Sequence, residues 1–325
     1  MKYQVGVDVG GGTTTAGLIL EGEIQAKKTV ATGENPKLLI DSTQQAIIGL
    51  LEEEGIGLDS VSFVGVGVPA FMNPVSRRLR FPNIQGADNL NYKALLEKRL
   101  GIKVAVGNDA DYTALGAISH IREFGVLKEG VGSQGAVELV LFTVGTGIGG
   151  GIVTRSGKKT TNLSSTHGLN ELGHMKVTDN PRYLCSCGAI GCVEATSSCS
   201  AQVKQATKGL ENAPKAVKEE FRDGFSAEDV DRLSEQENTL ASQVMKSAGK
   251  YLGIASSNLL NALNPSILAF TGGGASSRPD SVFFKALLEA LKQNTLEEAW
   301  EAASVVKNPD AKRYGILGAG NAVNQ

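Results

Sequence analysis

The chain has 325 residues, of which 41% are hydrophobic and 20% charged, with a formal net charge of −2. That length suits two domains with separate cores, the composition excludes a disordered chain, and the near-neutral balance gives no global field for nucleic acid or an anionic membrane. No apolar run approaches the roughly 20 residues of a membrane span, and Met1–Asp8 lacks the basic start and long apolar stretch of a secretion signal, so a cytoplasmic protein is expected.

In chain order, Tyr3–Asp8 reads as a strand, followed by a tight polar turn over Gly10–Gly12 and Thr13–Thr15. Gly17–Leu20 and Glu23–Ala26 continue as a meander that turns at Glu21-Gly22. Asn35-Pro36 starts a helix, since asparagine caps and proline suits the first helical position; Ile40, Ile47 and Leu51 then share a face. Val61–Val68 is a strand ending at Pro69. Tyr92–Leu100 is a helix, Ile102–Val106 a buried strand, and Ala110–Arg122 a helix, with Asn108-Asp109 between the last two. Val137–Val144 is a strand that runs into Gly145–Gly151. From Ser198 to Asn261 the pattern is helical, with Leu240, Val244, Ala248, Leu252, Ala255 and Leu259 on one face, and Asn264-Pro265 ends it. A strand over Ile267–Phe270, the turn Gly272–Gly274, a helix over Phe283–Lys292 and the segment Ile316–Val323 complete the chain.

Glycine is the compositional outlier, at 40 residues, and its clusters fall directly after apolar strands. The first is Asp8-Val-Gly10-Gly11-Gly12-Thr13-Thr14. Successive backbone N–H groups at such a turn form a nest for phosphate oxygens, threonine hydroxyls add donors, and Asp8 is suited to a hydrated Mg²⁺. The second centres on Gly145, Thr146 and Gly147, the third on Gly272, Gly273 and Gly274. One such loop alone is as simply a tight turn or a bulge; three at strand ends point to a nucleotide. No G-x-x-x-x-G-K-[ST] string is present, which disfavours a P-loop fold. In this order, Asp8–Gly17, Asn108–Asp111, Gly145–Gly151 and Gly272–Gly274 resemble the actin/hexokinase superfamily. The resemblance implies an α/β, ribonuclease H-like fold of two domains with a cleft between the lobes, around ATP. The expected division is a smaller lobe of residues 1–111 with a closing helix at about 313–325, and a larger lobe over 112–312.

Phosphoryl transfer to a sugar hydroxyl needs a base beside that hydroxyl and charge neutralisation on the phosphates. Asp109, after a strand and before a helix, is placed for the base; helix capping is the plainer role for the same position. The resemblance implies that Asp109 is the base and that Asn108 binds a sugar hydroxyl.

His174, Cys185, Cys187 and Cys192 form a Cys₃His set suited to tetrahedral Zn²⁺. Gly188 and Gly191 allow the tight turns between the thiols, and Cys199 is left over as a buried thiol. The string Glu171-Leu-Gly-His174, then Cys185-Ser-Cys187-Gly-Ala-Ile-Gly-Cys192-Val-Glu194, resembles the ROK family of repressors and sugar kinases, and the resemblance runs from Asp8 to the closing Leu317-Gly-Ala-Gly-Asn-Ala. It implies a structural zinc ion, with Glu171, His174 and Glu194 on sugar hydroxyls. Gly67 and Asn83 resemble further positions that border the sugar. The chain departs from the family at Gly12 and Thr13, where threonine and lysine are usual, at the long segments 121–134 and 156–168, and at Leu169-Asn170.

These features lead to an ATP-dependent hexose kinase with Mg²⁺ accompanying ATP and glucose phosphorylated at its 6-hydroxyl. The alternatives are an N-acetylhexosamine or fructose kinase, or a sugar-binding regulator; for the last, the first loop strand begins at Tyr3 and leaves no helix-turn-helix domain before it. A dimer or tetramer follows by analogy, and neither nucleic acid nor membrane is an expected partner.

Overall fold

The computed structural model describes the chain except residues 1, 73–77, 82–85, 88–89, 124–136, 157–158, 164–169, 276–279, 308–309 and 323–325. The chain forms two units, one of residues 1–125, 151–170 and 310–325, the other of 126–150 and 171–309. The first unit therefore takes more of the chain than the expected 1–111 with 313–325.

The first unit is built on a sheet of order β3-β2-β1-β4-β7, with β1 at Tyr3–Val9, β2 at Thr13–Leu20, β3 at Glu23–Ala31, β4 at Val61–Val68 and β7 at Val104–Asn108. A short pair, β5 at Phe71–Met72 and β6 at Leu79–Arg80, lies outside that sheet. β1 runs antiparallel to β2 and parallel to β4, which is parallel to β7. Thr13–Thr15, expected in the turn, instead open β2; their alternation seats Thr15 against Thr29 of β3, hydroxyl to hydroxyl at 3.0 Å. β3 continues past Ala26 to Ala31, and β7 lies two residues beyond the expected strand, because Val104 onward pairs with β4. At Glu21 and Gly22 both φ angles are positive, at 53° and 84°, the geometry a two-residue hairpin turn requires.

Helix α1, Pro36–Glu53, is capped by Asn35, whose side chain accepts from the Leu38 N–H at 3.0 Å. Its apolar stripe, with Leu39, Ile47 and Leu50, joins Val5, Val7, Val64 and Val66 in one core. Helix α2, Tyr92–Leu100, ends at Gly101, φ 69°. Two more helices, α3 at Asp109–Glu123 and α11 at Ala311–Gly320, pack on one another and α11 also lies on β1 and β4. That contact depends on glycine. A Cβ at Gly6 or Gly65 would stand 1.9 or 1.8 Å from a carbonyl oxygen of α11, and one at Gly318 would stand 1.7 Å from the Tyr112 carbonyl of α3. This close seating is why α3 and the closing helix go together.

The second sheet has the order β10-β9-β8-β11-β12, with β8 at Val137–Val144, β9 at Ile148–Ser156, β10 at Lys159–Asn162, β11 at Ile267–Thr271 and β12 at Ser304–Lys307. The boundary between the units falls inside β9. β11 is parallel to both β8 and β12, and Phe142 stacks on its register partner Phe270 at 5.8 Å. The expected loop Gly145–Gly151 is a short turn, since β9 begins at Ile148, and β12 has no counterpart among the expected strands.

The expected helical stretch 198–261 is four helices: α5 at Cys199–Leu210, α6 at Lys215–Glu219, α7 at Ala227–Glu235 and α8 at Thr239–Leu263. Ser226 and Asp229 form a capping box that restarts the chain at α7. Asn264 ends α8 in the left-handed region. Against α8 lies α9, Val282–Asn294, held close by Gly249, where a Cβ would be 2.1 Å from the Phe283 carbonyl. The short helices α4, Val193–Ser197, and α10, Glu297–Ala302, complete the second unit.

Candidate active site

In the first unit the register brings three strand ends side by side. Asp8 is opposite Gly67 across β1 and β4, and Val68 is opposite Asn108 across β4 and β7. Ligands of open α/β sheets bind at such carboxyl ends of parallel strands. Gly67 sits between the polar groups: a Cβ there would meet the Asp109 Cα at 3.3 Å and the Tyr112 ring at 3.4 Å. Asn108 accepts from the N–H groups of Ala110 and Asp111 at 2.9 and 3.1 Å and donates to the Ala70 carbonyl at 3.3 Å, so the capping work falls largely to Asn108. Asp109 Oδ1 also accepts from the Ala110 N–H, at 2.9 Å. Burial pushes the Asp109 carboxyl above its ordinary range, partly offset by hydrogen bonds from backbone N–H groups. Asp8 is pushed up to about 7, by burial first and by the nearby charge of Asp109 second, with Lys312 pulling the other way.

The first glycine turn lies beyond β1. Gly10 N–H donates to the Thr13 carbonyl at 2.9 Å, and the Thr32 hydroxyl donates to the Gly10 carbonyl at 2.8 Å. Gly11 and Gly12 are exposed, with nothing within 4 Å of an added Cβ. Thr13 is exposed, whereas Thr14 is fully buried and its hydroxyl is engaged with that of Thr32 at 3.0 Å. Of the two hydroxyls, Thr13 is the accessible one.

In the second unit, β8 and β11 end together at Thr143 and Thr271, so the turns that follow them are neighbours. Gly272, φ 97°, passes over Val144, where a Cβ would be 2.4 Å from the carbonyl oxygen, and a Cβ on Gly274 would be 2.6 Å from the Cys199 sulfur. Gly145 N–H donates to the Gly147 carbonyl, and the Gly145 carbonyl accepts from the Cys199 N–H, both at 2.9 Å. Thr146 is exposed at the tip.

The four candidate metal ligands, His174, Cys185, Cys187 and Cys192, converge in the same unit, with their donor atoms all within 4.8 Å of one another. His174 Nδ1 is 3.6 Å from the Cys185 sulfur, and the sulfurs of Cys187 and Cys192 are 3.7 Å apart. Bonds of about 2.0–2.3 Å at tetrahedral angles put ligand atoms about 3.5–3.8 Å apart, so donor type and spacing both fit Zn²⁺. The loop is shaped by its glycines. Gly191, φ 82°, runs so close to Thr178 that a Cβ would be 1.6 Å from its carbonyl oxygen, and its N–H donates to the Tyr183 carbonyl at 2.8 Å. Burial and the other two thiols push Cys192 up to about 12, while backbone N–H groups lower Cys187. Three crowded thiols resist losing their protons together; a divalent cation among them removes that obstacle.

The ROK family profile matches residues 4–325, nearly the whole chain. The chain belongs to the ROK family. The glucokinase of Halalkalibacterium halodurans is 30% identical, over 98% of this chain and 92% of its own. The N-acetyl-D-glucosamine kinase of Histophilus somni is 27% identical, over 90% of each. Among solved structures, the ROK hexokinase of Thermus thermophilus aligns with TM-score 0.75 and 26% identity, over 98% of this chain and 96% of that one. The fold is thus the two-domain α/β fold of the actin/hexokinase-like sugar kinases. Among the described residues no helix is long and apolar enough to cross a membrane.

In this ROK chain the strand ends gather Asp8, Gly67, Asn108 and Asp109 in the first unit, and the cluster gathers His174, Cys185, Cys187 and Cys192 in the second. Asn83 lies outside the described residues. Glu171 precedes the single turn Leu172–His174 and accepts from the His174 N–H through its carbonyl at 3.0 Å. Glu194, on α4, receives the Ile148 N–H at 3.1 Å and the Ser186 hydroxyl at 3.2 Å. Two contacts were not foreseen. Asn170 donates to the Asp111 carboxylate at 3.2 Å and to Asn162 at 3.0 Å, which anchors the segment before Glu171. Lys312 acts on Asp8 from α11, on the helix face of Gly315, where a Cβ would lie 3.0 Å from the Asp8 carboxylate. Neither pairing leaves a mark in sequence, because each joins residues far apart in the chain.

Proposed function

We propose that this sugar kinase transfers the γ-phosphoryl group of ATP to a hexose, with glucose at its 6-hydroxyl as substrate and Asp109 as the general base. The observation that carries the reading is the alignment of strand ends, which sets a half-buried carboxylate at Asp109 beside Asn108, Gly67 and Asp8. A carboxylate held above its ordinary pKa is a stronger base for a hydroxyl proton. As the sugar oxygen bonds to the γ-phosphorus, the bond to the β-phosphate oxygen breaks and Asp109 takes the hydroxyl proton. Asn108, Glu171, His174 and Glu194 hold the other hydroxyls. His174 turns Nδ1 to the thiols and offers Nε2 to the sugar, so a metal held there would fix its tautomer and aim.

Gly10–Thr13, Gly145–Gly147 and Gly272–Gly274 take the nucleotide, and Asp8 supports the hydrated Mg²⁺ that accompanies ATP. His174, Cys185, Cys187 and Cys192 would hold a structural Zn²⁺, which in a Cys₃His set would supply stability and orientation rather than chemistry.

A second reading, an N-acetylhexosamine kinase, is favoured by the alignment with N-acetyl-D-glucosamine kinases. A regulator is favoured by a putative xylose repressor of Caldicellulosiruptor, 30% identical over 67% of this chain and 51% of its own length. ADP release, measured with ATP and a panel of glucose, N-acetylglucosamine, N-acetylmannosamine and fructose, separates the readings. The expected result is the highest kcat/KM for glucose. A higher value for an N-acetylhexosamine transfers the assignment to that sugar, and no sugar-stimulated ADP release overturns the kinase reading.

A further inference from the structure

We propose that the metal cluster also holds the glycine turn Gly145–Gly147, by clamping the peptide groups of Ile148 between its two arms, with Ser186 as a positioning residue; the consequence for nucleotide rests on the reading of that turn as part of the nucleotide site.

One arm runs from Cys192. This ligand occupies the N-cap of α4, two residues before Glu194. Glu194 Oε2 accepts from the Ile148 N–H at 3.1 Å, and Oε1 accepts from the Ser186 hydroxyl at 3.2 Å. Ser186 lies between the ligands Cys185 and Cys187, so the thiol loop itself orients the carboxylate that grips Ile148. The fit leaves no slack, since a Cβ on Gly147 would stand 2.5 Å from Glu194 Oε2.

The other arm runs from His174. Gly173, the residue before it, lies on the far side of the same segment. A Cβ there would be 1.9 Å from the Ile148 carbonyl oxygen and 3.0 Å from its carbon. Ile148 is thus held through its N–H by the cysteine arm and covered at its carbonyl by the histidine arm. It is the first residue of β9, directly after the turn. Because Gly145 N–H bonds to the Gly147 carbonyl, the position of Gly147 sets the shape of the whole turn.

An ion bound by His174 and the three cysteines joins the two arms and closes the clamp. Backbone bonds already join the arms, from the Val193 N–H to the Met175 carbonyl at 2.9 Å and from the Val177 N–H to the Gly191 carbonyl at 2.8 Å; the ion adds a tie between their side chains, and without it the thiol loop that carries Ser186 is less firmly aimed. Backbone donors bind an anion well only when they are already in place.

The test uses two readouts on zinc-loaded wild type, zinc-loaded Ser186→Ala, zinc-loaded Ser186→Thr and chelator-treated wild type. The first is hydrogen exchange by mass spectrometry over residues 145–148; the second is binding of a fluorescent ADP analogue without sugar. Ser186→Ala and metal removal should each speed exchange there and weaken the analogue by about ten-fold, the scale of one hydrogen bond to a charged group. Ser186→Thr should restore both. Zinc-retaining Ser186→Ala with native exchange over 145–148 overturns the clamp, as does chelated, still-folded protein with native exchange. If chelation unfolds the chain, Ser186→Ala decides alone. Loaded wild type that binds no nucleotide sinks the nucleotide reading of the turn, while exchange still reports on the clamp.

Discussion

At the scale of single residues, two half-buried carboxylates, Asp109 and Asp8, carry most of the consequence. Asp109→Asn keeps the shape and the cap but cannot take a proton, so kcat should fall by about 10²–10⁴-fold, the usual worth of a general base, with hexose affinity largely kept. A variant that binds sugar and turns over at the native rate removes Asp109 from that role. Asp8 reports on itself through stability. Its carboxyl titrates near 7 in the fold against 3.8 in an unstructured chain. Between those values the folded state holds a proton that the unfolded state has lost. Stability should therefore fall as pH rises through that window and level off above it. Asp8→Asn removes the penalty, so thermal unfolding of the ligand-free variant should exceed wild type by more at about pH 8 than at about pH 5. A gap that is equal at both pH values would show that Asp8 is not held protonated.

At the scale of elements, the glycines fall into two kinds. Gly11 and Gly12 have negative φ and open space where a side chain would go, whereas Gly65 lies 1.8 Å, measured from an added Cβ, from the Ala319 carbonyl. Gly65→Ala should cost about 3 kcal/mol, the upper part of the overpacking range, because backbone must move. Gly12→Ala should leave stability within about 0.5 kcal/mol. Chemical denaturation of the two variants decides, and equal losses would contradict the packing. Glycine runs after strands were legible as turns because they cluster. Gly6, Gly65, Gly116 and Gly318 were not, because each is isolated in a strand or helix and its reason is a neighbour far along the chain. The same limit hid β12, whose four residues earn a place in the sheet only by pairing with β11, and the Asn170–Asp111 contact. The convergence of the four candidate ligands was legible, since Cys185–Cys192 is local and only His174 had to be brought to it.

At the scale of the whole chain, the ROK assignment and the cluster together predict about one zinc ion per chain, found by metal analysis of protein purified without chelators. Its removal should lower the unfolding temperature, since the unfolded chain has no preformed site; a metal-free chain of unchanged Tm would deny the ion a structural role. The seating of α11 has a different kind of consequence. Ile316 and Leu317 close a core with Ile19, and Arg313 bonds to Glu23 across 290 positions of sequence. During synthesis the strands β1 to β4 emerge early, yet the helix that covers them is made last among the elements of that unit. At roughly 5–20 residues per second, those strands wait with Gly6 and Gly65 uncovered while the entire second unit is translated. The first unit is then the later of the two to complete. Nascent chains arrested before residue 311 should keep β1–β4 open to protease, and the ribosome-bound chain should offer this face to a chaperone until α11 arrives.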